Sequence, residues 1–339
     1  MKVLYAVQTT GNGHISRAKE IIPYLDRRFQ YDVMLSGPEN HLDLGHPVKH
    51  HFKGLTLHYD KSGAIHWRKT LLKNNFFQFI RDVFSLRVQE YDLVITDFEP
   101  VSAWACKLRG VLSFGLSNQI SLWQKKVPKP KKQFRVSLKY LKKFAPTDLE
   151  YGFHHQKFNK RIFFPIIRTK LRELNVSKGG GIVVYLPAYD LNNITEVLSL
   201  FPAIKWNVFT KEIKEETQLG CIDIRPINEE HFLDALAQCD GVITNAGFAT
   251  TSEALYLGKP LLTIPMRGHI EQSYNAFALK KMGVTVLKKL NVDKVERIAD
   301  WLENPKVVQG NFENDLNYLV DQIALDYIKS KYSGKVIYS

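Results

Sequence analysis

Cysteine is scarce in this chain: Cys106, Cys221 and Cys239 are all there is in 339 residues, an odd number set far apart. They match neither a disulfide framework nor a metal-ligand spacing, which favours a reducing compartment and predicts no bound metal. No apolar run approaches the roughly 20 residues that span a bilayer. The opening MKVLYAVQTT lacks a charged leader, a long apolar stretch and a cleavage site. A signal peptide is therefore not expected, and a cytoplasmic location is. Carboxylates are outnumbered too, with 34 Asp and Glu against 47 Lys and Arg, a net charge of +13. That imbalance suits an anionic partner, either a phosphate-bearing ligand or an acidic membrane surface. No nucleic-acid reading motif accompanies the charge, so nucleic acid is not expected as a partner. Short-period repeats and low-complexity tracts are also missing.

What the chain does have is alternation. Short apolar segments such as Val3–Thr9, Leu93–Asp97, Trp206–Thr210, Val242–Asn245 and Leu261–Ile264 take turns with helix-compatible stretches. This pattern predicts βαβ units and parallel sheets. The series restarts at GGGIVVYLPAYD, after a connector-like FFPIIRTKLREL. The expected fold class is α/β, with two tandem Rossmann-like doubly wound domains facing across a cleft. Their expected bounds are 1–165 and 166–320, with a C-terminal helix in 321–339 crossing back to the first domain. Two further stretches stand out. Trp67–Val88 reads as a long helix whose aromatics, Phe76 to Phe84, are expected in the core. The segment 125–144 holds nine basic residues and no carboxylate. On a helix, Phe134, Leu138 and Leu141 share one face flanked by lysines, which suits docking on an anionic membrane surface.

In open α/β sheets, ligands bind outside the carboxyl ends of the strands. The first strand runs into QTTGNGHISRAKEI, where Gly11 and Gly13 permit close backbone approach and His14 opens a helix. The third glycine of the dinucleotide fingerprint is missing, as is the Gly-Lys-Ser/Thr of a phosphate loop. What remains is a glycine turn that presents an imidazole, a candidate general base near neutral pH. VITDFEP closes a neighbouring strand and places Asp97, or alternatively Glu99, to orient that imidazole.

In the second half, a strand ends at Asn245-Ala246-Gly247 and a helix begins near Phe248. Its first amides, with the hydroxyls of Thr250 and Thr251, suit a diphosphate. Glu253, about one turn further, suits a ribose diol. Glu271 and Gln272, a carboxylate beside an amide, suit the hydroxyls of a sugar.

The stretches TTGNGHISRAKEI, GVITNAGFATTSEALYLGKPLLTIPM and GHIEQSYNAFAL resemble those of the two-Rossmann nucleotide-sugar glycosyltransferases (GT-B), particularly the MurG-like and UDP-glycosyltransferase branches. The resemblance implies that Gly247, Thr250 and Thr251 border the diphosphate. It also implies that Glu253 binds ribose, that Glu271 and Gln272 bind the donor sugar, and that His14 activates the acceptor. Asn245-Ala246-Gly247 departs from the His-Cys-Gly or Ser-Gly of many relatives. By the same resemblance the donor is a UDP-sugar, the reaction inverts the anomeric centre, and no metal or other cofactor is needed. A sugar or lipid-linked acceptor in cell-envelope synthesis, and a peripheral place on the inner face of the membrane, complete the expectation. Two alternatives keep the fold: a nucleotide-sugar 2-epimerase and a non-catalytic nucleotide-sugar-binding protein.

Overall fold

The computed structural model describes residues 1–10, 12–37, 43–56, 70, 74–130 and 135–333. Gly11 and Phe134 lie outside the described residues, as do positions 67–69 and 71–73 of the expected aromatic helix. In the first half, β1 (Lys2–Gln8), α1 (Asn12–Leu25), β2 (Gln30–Ser36), β3 (His50–Phe52), α2 (Phe76–Ser85) and β4 (Leu93–Asp97) come in order. They are followed by α3 (Pro100–Arg109), β5 (Ser113–Ser117), α4 (Asn118–Ser121), α5 (Arg135–Phe144), β6 (Leu149–Phe153) and β7 (Ile162–Phe163). All seven strands pair in parallel, in the order β3-β2-β1-β4-β5-β6-β7.

A short α6 (Thr169–Arg172) leads to β8 (Ile182–Tyr185), α7 (Leu191–Leu198), β9 (Trp206–Thr210), β10 (Thr217–Leu219) and β11 (Ile222–Pro226). Then come α8 (Glu229–Gln238), β12 (Gly241–Thr244), α9 (Phe248–Tyr256), β13 (Leu261–Thr263), α10 (Ile270–Met282), β14 (Thr285–Val286) and α11 (Val295–Glu303). The second sheet runs β10-β11-β9-β8-β12-β13-β14, and only the edge strand β10 is antiparallel. The last helix, α12 (Leu316–Ser333), returns to the first domain. Its Leu316, Leu319, Val320 and Ile323 are buried with Ile15, Ile21 and Leu25 of α1. Asp326 accepts a hydrogen bond from Tyr151 at 2.9 Å.

Strands of a parallel sheet are covered on both faces, so they read as near-continuous apolar runs. Val3 to Val7 of β1 and Leu93 to Ile95 of β4 are wholly inaccessible. Each such aliphatic side chain contributes on the order of 1.5–3 kcal/mol by leaving water. The strand order reverses direction between β1 and β4 in one sheet, and between β8 and β12 in the other. Loops leaving strands at those two points diverge and open a crevice, and the two crevices face each other.

Two expectations about surfaces are corrected. The α5 stripe does not face solvent: Leu138 and Leu141 are 7% and 6% exposed, packed with Phe98, Ile270 and Tyr274 at the domain border. Three α2 aromatics do the reverse, with Phe76, Phe77 and Phe84 at 40%, 88% and 64% exposed, while Phe79 packs against the core as expected.

Candidate active site

The loop after β1 and the start of α1 form the first-domain wall of the cleft. Gly13 is already helical, and a Cβ added there would meet nothing within 4 Å, so the first turn of α1 stays open to the cavity. His14 follows, and its Nδ1 lies 2.8 Å from Asp97 Oδ1. Asp97 ends β4, the strand next to β1, so strand pairing itself brings the two side chains together.

Burial pushes the Asp97 carboxyl up, but Arg17 and His14 more than offset this and hold it below the ordinary aspartate value. An ionised carboxylate only accepts hydrogen bonds, so Nδ1 carries a hydrogen, and in the neutral ring Nε2 keeps its lone pair. His14 lines the cavity, and no protein partner of Nε2 is found among the described residues.

Arg17 was not legible as a site residue, although it stands three positions after His14 on the same helical face. Its Nε donates to Asp97 Oδ2 at 2.9 Å, and one Nη donates to Oδ1. That Nη also sits 3.0 Å from His14 Nδ1. Imidazole and guanidinium thus converge on a single carboxylate oxygen. The other Nη reaches Asn118 Oδ1 at 3.0 Å.

Glu99, the alternative partner, is corrected to a structural role. It caps α3, accepting from the amides of Val101 and Ser102 at 2.7 and 2.6 Å, and it is wholly buried. Burial raises its carboxyl pKa. The backbone explains the division of labour: Phe98 adopts φ +56°, a left-handed conformation uncommon outside glycine. That kink turns Asp97 toward the cleft and Glu99 into the helix.

Across the cavity, Gly247 precedes α9 with no side-chain cap, and an added Cβ would again meet nothing within 4 Å. Gly247, Phe248, Ala249 and Thr250 line the same cavity as His14. The unpaired amides and partial positive charge of the helix start therefore face the imidazole across about 380 Å³ of space. That volume is within the range of small-molecule sites.

Other expected donor residues lie off the cavity. Thr251 is buried, and its hydroxyl donates to the Gly247 carbonyl at 2.7 Å. Asn245 donates to the Ile264 carbonyl at 2.7 Å and joins two strand ends. Gln272 accepts from the Met266 amide at 2.9 Å, which pins the loop before α10.

Glu253 is the larger surprise. Its two oxygens are gripped by Arg168 Nε and Nη at 2.6 and 2.8 Å, and Arg168 also reaches Glu229 at 2.9 Å. Arg168 stands in the connector between the domains, so the carboxylate faces the linker rather than the cavity.

Glu271 does line the cavity. Asn118 and Gln119, at the start of α4, donate to its two oxygens at 2.9 and 3.2 Å. Buried polar atoms are nearly always paired. Yet Gln8 Oε1, Thr10 Oγ1 and Gln119 Oε1 have no partner among the described residues, and all three residues line this cavity. At the border beside it, His155 lies against Phe248 with ring centroids 5.0 Å apart and 3.2 Å from Ser252 Oγ.

Comparison with known proteins turns this geometry into a family. The sequence model of glycosyl transferase family 1 matches residues 1–305. The chain belongs to that family. A glycosyltransferase of undetermined specificity from Methanosarcina acetivorans is 22% identical over 196 residues, 47% of this chain. The match spans about half of that relative's length, 51%. MurG of Acinetobacter baumannii superposes with a TM-score of 0.58 at 15% identity, covering 96% of this chain and 99% of that one. A protein assigned as a UDP-N-acetylglucosamine 2-epimerase, from Listeria monocytogenes, gives 0.59 at 11% identity, covering 99% and 97%. At these identities the solved structures share the fold with this family 1 chain. Among its described residues, no helix is long and apolar enough to cross a membrane.

Proposed function

We propose that this cleft transfers a sugar from a nucleoside diphosphate sugar, a UDP-sugar by preference, to an acceptor hydroxyl. The observation that carries the reading is the placement of His14, backed by Asp97, across one cavity from the uncapped start of α9. The acceptor hydroxyl gives its proton to His14 Nε2 while its oxygen attacks the anomeric carbon. As that bond forms, the bond from the anomeric carbon to the diphosphate breaks on the opposite face, so the centre inverts. Negative charge develops on the departing diphosphate, where the α9 amides stabilise it without a metal. Glu271 lines the same space and suits the hydroxyls of donor or acceptor. Phe98, Phe144 and Phe248 line the same space, which favours an acceptor with an apolar portion, such as a lipid-linked glycan.

Thermal unfolding with a panel of nucleotides and nucleotide sugars tests the reading without knowing the acceptor. A UDP-sugar is expected to raise Tm in proportion to the logarithm of its concentration above Kd. If no nucleotide sugar shifts Tm, the reading is wrong. The epimerase of like fold motivates a second arm. Proton NMR of a UDP-sugar held with the protein alone should show no new anomer or epimer, and sugar interconversion would replace transfer by epimerisation.

A further inference from the structure

The last helix is apolar on two opposite faces. On the inner one, Leu316, Leu319, Val320 and Ile323 of α12 are buried with residues of α1. Asp326 accepts from the Tyr151 hydroxyl, so the helix is firmly seated on the first domain. On the outer face, Tyr318, Leu325, Ile328 and Tyr332 are 50%, 46%, 49% and 83% exposed. Seven residues make just under two turns, so Tyr318, Leu325 and Tyr332 fall along one line down the helix, turned away from the buried stripe.

This outer face is self-complementary. Leu325 lies at its middle, with Tyr318 and Tyr332 seven residues to either side. Asp321 and Lys329 stand four residues to either side of Leu325, on opposite flanks of the line. A two-fold axis through Leu325 that sets two copies of α12 antiparallel therefore lays Asp321 of each copy beside Lys329 of the other. It also lays Tyr318 on Tyr332, and Leu325 on itself. Asp321 holds Arg28 at 2.8 Å in an exposed pair worth little in water, and a carboxylate accepts from more than one cation. Lys329 stands 3.9 Å from Asp326, whose other partner is Tyr151. Over Leu316–Ser333 two aspartates and two lysines cancel, in a chain at +13. Copies can meet here without the repulsion of a basic surface, whereas an anionic bilayer finds no excess of cations on the helix.

We infer that α12 is the interface of a two-fold dimer of this chain, formed by antiparallel pairing of its outer face about Leu325. Tyr318, Leu325, Ile328 and Tyr332 of each copy supply the apolar seam. Asp321 with Lys329 of the other copy sets direction and register. None of these residues lines the cleft, so the dimer stands or falls apart from the transfer chemistry.

Sedimentation velocity of the full chain, from low micromolar to about 100 μM, is the test, since one helix face makes a small interface of modest affinity. The mass should rise toward twice 39.1 kDa as concentration increases. Leu325→Glu sets like charges on the axis and should leave a monomer throughout, with thermal unfolding at low concentration matching the parent. Asp321→Lys and Lys329→Asp should each raise the dimer Kd about tenfold, because like charges then face each other. An equimolar mixture of those two variants should associate more tightly than either alone, since every facing pair is opposite again. A merely structural role of either residue would not produce that rescue. The inference is overturned if the parent stays monomeric throughout, or if Leu325→Glu associates like the parent. A mixture no tighter than its components would overturn it as well.

Discussion

Asn118 and Glu271 hydrogen-bond at 2.9 Å across the cleft, although they stand 153 positions apart and belong to different domains. With Gln119 on the second oxygen, one carboxylate of the second domain is held by two amides of the first. Asn118 also accepts from Arg17, so a continuous polar path runs from Glu271 to the Asp97–His14 pair.

That path sets the first prediction. Removing both amides, Asn118→Ala with Gln119→Ala, should loosen the closed arrangement, at about 1 to 3 kcal/mol for an unpaired half-buried carboxylate. Small-angle scattering should then report a larger radius of gyration. An unchanged radius would mean that other border contacts hold the lobes.

His14→Ala should lower turnover by roughly a hundred- to ten-thousand-fold, the usual worth of a general base, with donor affinity nearly unchanged. Loss of affinity in step with turnover would make His14 a binding residue.

Asp97→Asn removes the carboxylate that two donors share and leaves Arg17 buried without its counter-charge. The expected cost is about 3 to 5 kcal/mol of stability, seen in urea unfolding. The parent carboxyl is held below its ordinary value by Arg17 and His14. Its contribution is therefore fully present above the unfolded-state value and is lost as pH falls through the lower folded one. The variant should show a flatter acid limb below about pH 4. An acid limb identical to the parent's would show that this pair does not govern acid unfolding.

His154 and His155 give a second pH dependence, which sets in at higher pH. Burial lowers them to about 4 and about 3. The unfolded chain then takes up protons first, so stability falls from about pH 6.5 downward, well before the carboxylates titrate. Because His155 packs on Ser252 and Phe248, acid should weaken the domain border. Comparing Tm at pH 7 and pH 5, His155→Gln should lose less than the parent on acidification. Equal losses would remove this histidine from the account.

Glu253→Ala separates two roles for one residue. With Arg168 left to Glu229 alone, stability should drop by about 1 to 3 kcal/mol even without any nucleotide. If calorimetry with UDP shows unaltered affinity in this variant, Glu253 is a linker anchor and not a ribose ligand.

Some of this was written in local order and some was not. β1, β4, β9, β12 and β13 were legible because a strand covered on both faces must be an apolar run wherever it stands. β6 and β7 were not, since LEYGF and IF are short and sit beside the histidine-rich turn. His14, Asp97, Gly247 and Thr250 were legible from their positions just beyond strands. Arg17, Asn118 and Gln119 were not, because nothing near them in sequence requires a partner; their partners lie 80 to 153 residues away.

The sequence by itself determined that strands and helices alternate, that the chain divides in two, and which strand ends carry polar groups. These follow from local periodicity and from the chemistry of short motifs. Only the tertiary structure decided which carboxylate serves His14 and which caps a helix, because a single left-handed residue, Phe98, parts Asp97 from Glu99. It alone decided that the stripe of α5 is covered while that of α2 is bare. An amphipathic pattern records that a helix has an apolar face. What that face meets depends on the path of chain far away.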